Sequence, residues 1–530
     1  MAKVTPMLEQ YLSIKNQYLD CILFFRLGDF YEMFYDDAIT ASKVLEITLT
    51  KKRVGGDEGT APLCGVPIHA AEGYIAKLIE SGYKVAVCEQ TEDPKLTKGI
   101  VNREVVRVVT PGTVTGDSML SAKGNNYLAA VYEDIGSIGL AWCDISTGEL
   151  EAALIEGGSS VLENQLVRIG ASEIIINEDA AAYESLRAND EALISVRGKD
   201  YFSAVQRDST DAAVQAAISG LFHYLSETTK QDLAHLRPLR IHNLTDHMML
   251  DRASIRNLEL TETLFERKTQ GSLLGVIDKT HTAMGGRLLK KWLKEPLVKT
   301  AEISRRLDAV SALYDDVLAR NNIKTYLKAV YDLERLAGRV SFGNANARDL
   351  ISLKNSAANL PEIKNELSSL DSLLLNELND QINELSDLRD FIEDSISDDP
   401  PFTLREGGMV RSGYSAELDT MRDSISDGQK WIAELEGKER ERTGIKSLKV
   451  GFNKIFGYYI DITNAHKELV PEEYIRKQTL VGSERYITPE MKEIESVVLG
   501  AEARINETEY RIFGELRQKI QKLIPEIQRT

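Results

Sequence analysis

"RLGDFYEMFYDDA", residues 26–38, sets four aromatic rings and four carboxylates into thirteen positions. Its reading decides the architecture of the N-terminal region. Just upstream, "CILFFRL" (21–27) is a strand-like apolar run that stops at Gly28-Asp29. Beyond that stop the pattern predicts a helix. Asp29 and Glu32 form a D-x-x-E variant of the capping box, and Phe30, Phe34, Ala38 and Leu45 fall near one helical stripe. Two readings of Phe30 stay open. On the first it is a core residue of that stripe. On the second it stands at the first turn with no chain behind it, projecting beside a hydrogen-bonding acid. Such a ring is suited to wedging a base stack, since apolar side chains inserted from the minor groove kink duplexes at roughly a few kcal/mol per unstacked step. A defective pair unstacks at lower cost, so a wedge discriminates by deformability without a sequence code.

Outward from this stretch, residues 1–115 read as one mixed α/β domain. "AAEGYIAKLIESG" places Tyr74, Ile75, Leu78 and Ile79 on one helical face and closes at Gly82, while "YKVAVCEQ" and "EVVRVVTPG" read as strands. The Gly-rich "TPGTVTGDSMLSAKGNN" reads as a linker. "YLAAVYEDIGSIGLAWCDISTGELEAALIE" is a three-stranded meander, and with "SSVLENQLVRIG" (helix) and "SEIIIN" (strand) it makes residues 125–245 a second α/β domain. From residue 246 apolar positions recur at three- and four-residue spacing, in "IRNLELTETLF", "AMGGRLLKKWLKEPL", "ISRRLDAVSALYDDVLARNNI" and the series Leu378, Ile382, Leu385, Leu388, Ile392, Ile396. The expected divisions are a helical core with an outgoing arm at 246–435, a small β insertion at 436–495 and a returning helix at 496–530. The insertion is carried by "SLKVGFNKIFGYYIDITNA", two strands about an Asn-Lys-Ile-Phe-Gly turn.

The net charge of −18 at first argues against a polyanionic partner. The charge is uneven, however. Residues 361–399 hold twelve acids against Lys364 and Arg389, whereas 446–485 hold seven bases against five acids. An acidic scaffold with a basic tip can still bind nucleic acid, because only the contacting surface must be positive. No apolar run approaches the roughly 20 residues that span a bilayer. The N-terminus lacks the features of a secretory or transit peptide, and Cys21, Cys64, Cys88 and Cys143 lack metal or redox spacing. A cytoplasmic protein with reduced, buried thiols is expected.

Catalytic constellations are not evident. The seven histidines show no ligand-like spacing, so no metal site is expected. "GMVRSGYS" (408–415) has the G-x-x-x-x-G spacing of a phosphate loop but Tyr414 where that loop requires lysine. Asp134, Asp144 and Glu149 offer carboxylates for a two-metal nuclease, yet Asp144-Ile-Ser-Thr-Gly reads equally as an Asx turn between strands.

Five blocks, in order along the chain, carry a resemblance: "FFRLGDFYEMFYDDA", "LCGVPIHAAEGYIAKLIESGYKVAVCEQ", "VTPGT", "GSLLGVIDKTHTAMGGRLLKKWLKEPL" and "GFNKIFGYYIDITNAHKELVPEEYIRKQTLVGSERYITPEMKE". Together they closely resemble the bacterial MutS family of DNA mismatch-recognition proteins. The resemblance implies that Phe30 and Glu32 are the family's Phe-x-Glu reader, the ring stacking on a mispaired base and the acid hydrogen-bonding it. It implies a mismatch-recognition domain, an RNase H-like connector at 125–245, a long-helix core and lever, and a β clamp gripping backbone through Arg476, Lys477 and Gln478. Lys52 and Arg53 are weaker phosphate candidates. Two departures stand out. Gly482-Ser483 replaces the Asn-Ala common before "ERYITPE", and the sequence ends before the family's C-terminal ATPase domain. No catalysis is therefore expected of this chain. ATP or ADP with Mg belongs to the missing domain, homodimerisation to the complete protein, and a MutL-like partner to the resemblance.

Overall fold

A glycine turn, not a helix cap, follows the first strand. The computed structural model describes residues 5–53, 60–92, 99–188, 192–203, 211–231, 233–453 and 457–530. Strand β1 (Cys21–Leu27) reverses through Gly28-Asp29 into strand β2 (Phe30–Phe34), with Leu27 opposite Phe30. Gly28 has φ +60, the left-handed conformation that the first centre of a tight hairpin turn requires and glycine adopts without strain. The predicted helix starts only at Tyr35. This corrects the capping-box reading of Asp29 and Glu32: five residues of strand intervene before the helix, α2 (Tyr35–Leu45).

The first domain is a six-stranded mixed sheet. With β3 (Thr50–Arg53), β4 (Thr60–Pro67), β5 (Lys84–Gln90) and β6 (Arg103–Val109), the order is β3-β4-β2-β1-β5-β6, and only β1 and β5 run parallel. Alternation along the strands makes both faces apolar. Helix α1 (Pro6–Lys15) covers Leu23, Phe25, Phe34, Ala86 and Cys88 with Leu8 and Tyr11. Helices α2 and α3 (Ala71–Glu80) cover Phe24, Tyr31, Met33, Val66 and Val85 on the other face.

The second sheet joins β7 (Tyr127–Asp134), β8 (Ser137–Asp144), β9 (Glu149–Ile155), β10 (Ala171–Asn177), β11 (Leu193–Arg197) and β12 (Arg240–Ile241) in the order β11-β10-β7-β8-β9-β12. The meander is antiparallel, as its turns predict, and β10 returns parallel to β7 through helix α4 (Ser159–Ile169). A long helix, Ala212–Thr229, packs on the opposite face, its first turn so close that a Cβ on Gly139 would lie 2.0 Å from the Ala213 carbonyl oxygen. The stretch 110–126, read as a linker, is fastened down. Arg335 donates to the carbonyls of Ser121 (2.9 Å) and Gly124 (2.7 Å), Arg287 to that of Ala122 (2.9 Å), and Lys123 pairs with Asp278 at 2.8 Å.

Beyond residue 250 the chain is helical, but most helices are short. The Leu378–Ile396 series is split between Leu373–Gln381 and Ser386–Ser395, with Leu385 at φ +52 in the break. The chain divides into two compact units, one of residues 1–344, 356–385 and 523–530, the other of 345–355 and 386–522. The second unit holds the long helices Ala416–Thr443 and Pro489–Gln521, joined by Arg422–Glu509 (2.6 Å) and Arg511–Glu417 (3.0 Å). Between them in sequence lies an antiparallel sheet of β13 (Lys449–Asn453), β14 (Gly457–Thr463), β15 (Ile475–Thr479) and β16 (Ser483–Ile487), ordered β13-β14-β16-β15. Leu435 and Met491 of the helices enter its core with Ile460, Ile462, Tyr474 and Tyr486. Of the Asn-Lys-Ile-Phe-Gly turn, residues 454–456 lie outside the described residues, and Asn453 pairs with Gly457. Among the described residues no helix is long and apolar enough to cross a membrane, and the four cysteines are buried and unpaired.

Candidate nucleic-acid interface

Strand alternation sorts the aromatic and acidic cluster. Phe30, Glu32 and Phe34 share the face that α1 covers, and Tyr31 and Met33 point the other way. Tyr31 is 6% exposed, its hydroxyl on Glu89, and Met33 is fully buried. Phe34 is buried, 4.9 Å centroid to centroid from Tyr11. Asp37 is buried as well, taking Lys15 Nζ (2.9 Å), Leu23 N–H (3.0 Å) and the Tyr11 hydroxyl (3.2 Å). Four residues earlier than Phe34, past the cover of α1, Phe30 is 47% exposed. The ring is therefore not core, and it owes its exposure to a strand end beside the hairpin and not to a helix start.

Glu32 is half-buried and does not stand free. Its partner across β4 is Gly65, where a Cβ would lie 3.6 Å from Glu32 Cγ and 3.3 Å from the Tyr31 carbonyl oxygen. The Glu32 side chain meets Lys52 of β3, Oε2 to Nζ 2.8 Å. Lys52 reaches it over the Phe34 ring, 5.5 Å from the centroid. Two residues singled out for different tasks thus form one ion pair. Arg53 ends β3, and its side chain lies outside what the structure describes.

The clamp-region residues separate. The β15–β16 register shifts between Arg476 and Gln478, so Lys477 sits in a bulge and is exposed. Arg476 is also exposed, 3.4 Å from Glu484. Lys467, 2.7 Å away, and the Tyr486 hydroxyl hold the Glu484 carboxyl below the usual range. Gln478 turns into the sheet and accepts from Arg485 Nη1 at 2.9 Å, while Arg485 stacks on Tyr459 at 4.1 Å. Gly482 faces open space: a Cβ there would meet nothing within 4 Å.

The two decoys resolve into structural roles. Ser415 of "GMVRSGYS" accepts from Leu418 N–H as the N-cap of the helix Ala416–Thr443, and Met409 is buried. Asp144 is buried, its Oδ1 accepting from Ser146 N–H (3.0 Å) and hydroxyl (2.7 Å), which is an Asx turn. Asp144 pairs with Glu149 at one end of β8, whereas Asp134 pairs with Ser137 at the other, about 20 Å away at the rise of a strand. Of the three carboxylates of the nuclease reading, Asp144 and Glu149 adjoin and Asp134 stands apart from them. A cluster that sequence spacing conceals does form: His242, His247 and Glu295 present donor atoms within 4.8 Å of one another. Arg168 already supplies the cation there, with Nη2 3.2 Å from His242 Nε2 and Nε 3.6 Å from Glu295.

These features define a class: a multidomain protein of two α/β sheets and a helical region, whose exposed ring, acid and bases sit on sheet ends and a bulge. The chain matches MutS domain I over residues 5–118, MutS domain II over 126–237 and MutS domain III over 253–530. It belongs to the MutS family. It is similar to proteins named "DNA mismatch repair protein MutS" from Acetivibrio thermocellus (47% identical over 551 residues), Ruminiclostridium cellulolyticum (48% over 555) and Listeria monocytogenes (47% over 537). Each match covers all of this chain and 62–63% of the relative's length.

Proposed function

We propose that this chain recognises mismatched or looped-out bases in duplex DNA and so starts mismatch repair. Phe30 enters from the minor groove and stacks on the mispaired base, and Glu32 accepts a hydrogen bond from that base's edge. One observation carries the reading. On β2 every neighbour of Phe30 is turned inward or covered, yet this ring is left half exposed, with a carboxylate two residues along the same face. A core aromatic would be buried, as Phe34 is. The ring and the carboxylate together offer a stacking surface and a hydrogen-bond acceptor on one sheet face.

In this reading the 125–245 domain is an RNase H-like connector, the helices are core and lever, and the β13–β16 sheet is a clamp on the backbone through Arg476 and Lys477. Gln478 is the weaker contact, since its side chain already serves Arg485. Homodimerisation, ATP or ADP with Mg, and a MutL-like partner belong to the complete protein under the same proposal.

The test is the affinity of the chain, with the C-terminal continuation its longer relatives have, for a G·T-mismatched and a matched duplex by fluorescence anisotropy. A preference for the mismatch of about tenfold to a hundredfold is expected, the worth of stacking one base on a ring, and equal affinities overturn the reading. The clamp makes a separate prediction. Lys477→Ala should weaken both duplexes alike and make the slope of log K against log salt shallower by about one, because one phosphate contact is lost. An unchanged slope removes Lys477 from the contact set.

A further inference from the structure

We propose that Lys52 is a positioning residue for Glu32, so that the base-reading carboxylate is set in place by its lysine before DNA arrives; this rests on the mismatch-reading proposal above. The geometry points to it in three ways. The Lys52 ammonium lies 2.8 Å from Glu32 Oε2, within a good charge-assisted bond. The stem of Lys52 crosses the sheet face over Phe34, a ring that is itself buried, so the lysine is laid on a fixed platform. Gly65, the residue opposite Glu32 on β4, puts no side chain beside the acid, where a Cβ would lie 3.6 Å from Glu32 Cγ. Glu32 and Lys52 come from strands that are not adjacent, and their side chains meet over the same face of β4.

The pair answers a difficulty in the reading mechanism. A carboxylate carried into a groove lined by phosphates meets like charge, and an unanchored glutamate also loses rotamer freedom when it docks on a base. Lys52 offsets both. It neutralises the acid locally, and it holds the side chain over the sheet with Oε2 occupied, leaving Oε1 to accept from the base edge. Lys52 on this view acts through Glu32 and not as a phosphate contact, although its residue type and position in sequence suggest the latter.

The experiment is a double-mutant cycle on the mismatch-to-matched affinity ratio, in the chain with its C-terminal continuation: wild type, Lys52→Met, Glu32→Ala and the double variant, with Lys52→Arg as the conservative replacement. Thermal melts show that each is folded. Lys52→Met is expected to lower the ratio about fivefold, the scale of a partly exposed ion pair. The same change made in the Glu32→Ala background should lower it no further, and Lys52→Arg should restore most of the ratio. An equal loss on both duplexes, in both backgrounds, with a salt slope shallower by about one would make Lys52 a phosphate contact and overturn the proposal. A Lys52→Met chain with wild-type ratio overturns it too. Failure of the underlying reading looks different: wild type itself would show no preference, or Phe30→Ala would keep it.

Discussion

Phe30→Ala is expected to abolish the preference for a mismatched duplex, by tenfold to a hundredfold, while leaving the chain folded. Stacking of one base on an aromatic ring is worth about 1–3 kcal/mol by alanine substitution. The ring is 47% exposed, so its removal should cost the fold within about 1 kcal/mol. Phe34→Ala provides the contrast. That ring is buried against Tyr11 on the same face of the same strand, and truncating it should cost about 3–5 kcal/mol of stability. Anisotropy on the two duplexes and urea melts on both variants separate the outcomes. If Phe30→Ala stays selective and folded, the wedge is wrong whatever the family. If it unfolds as Phe34→Ala does, Phe30 is a structural residue.

The same stretch shows where sequence reasoning reaches and where it stops. Apolar runs bounded by glycine marked β1, β5 and the meander, and the spacing of Ile75, Leu78 and Ile79 marked α3, because burial on one face writes a period into the chain. Gly28-Asp29 signals a stop, which it is, but two residues also suffice to reverse a strand. Phe30-Tyr31-Glu32-Met33-Phe34 fits a helical stripe through Phe30 and Phe34 and a strand alternation equally well. Pairing with β1 and β4 on both sides decided for the strand. Over five residues, local pattern cannot outvote two neighbouring strands. The stretch 110–126 does link the two sheets, and its polar composition gives no sign that Arg287 and Arg335, more than 150 residues away, fasten it. The local residues leave Phe30 open between core and wedge, and it is the family resemblance that singles out Phe30 and Glu32. That Glu32 has a lysine partner follows only from the strand order, with β4 between β2 and β3. His242, His247, Glu295 and Arg168 likewise become a cluster only when β12, α4 and the helix Ala283–Lys294 come together.

Around that cluster lies the second large effect. Glu151 of β9 is buried, 3.0 Å from Lys291 Nζ and 3.5 Å from His242 Nδ1. Burial pushes its carboxyl up, but the neighbouring His242 imidazole and the Lys291 charge outweigh it and bring the pKa down to about 2 from 4.5. A carboxyl depressed in the folded state contributes fully above its unfolded pKa, and the contribution is lost as pH falls through the folded value. The window is therefore pH 4.5 down to about 2. Glu151→Gln should cost about 3 kcal/mol at pH 7, from the lost depression and from Lys291 left with Glu149 as its remaining carboxylate. Between pH 4.5 and 3 the gap between variant and wild type should close by roughly half, as the wild-type glutamate takes up its proton in the unfolded chain but not yet in the folded one. Urea melts at pH 7, 4 and 3 measure it. A gap that stays constant would mean that the side chain stabilises by packing alone, and that the junction of the second sheet with the helix Ala283–Lys294 is not held by charge.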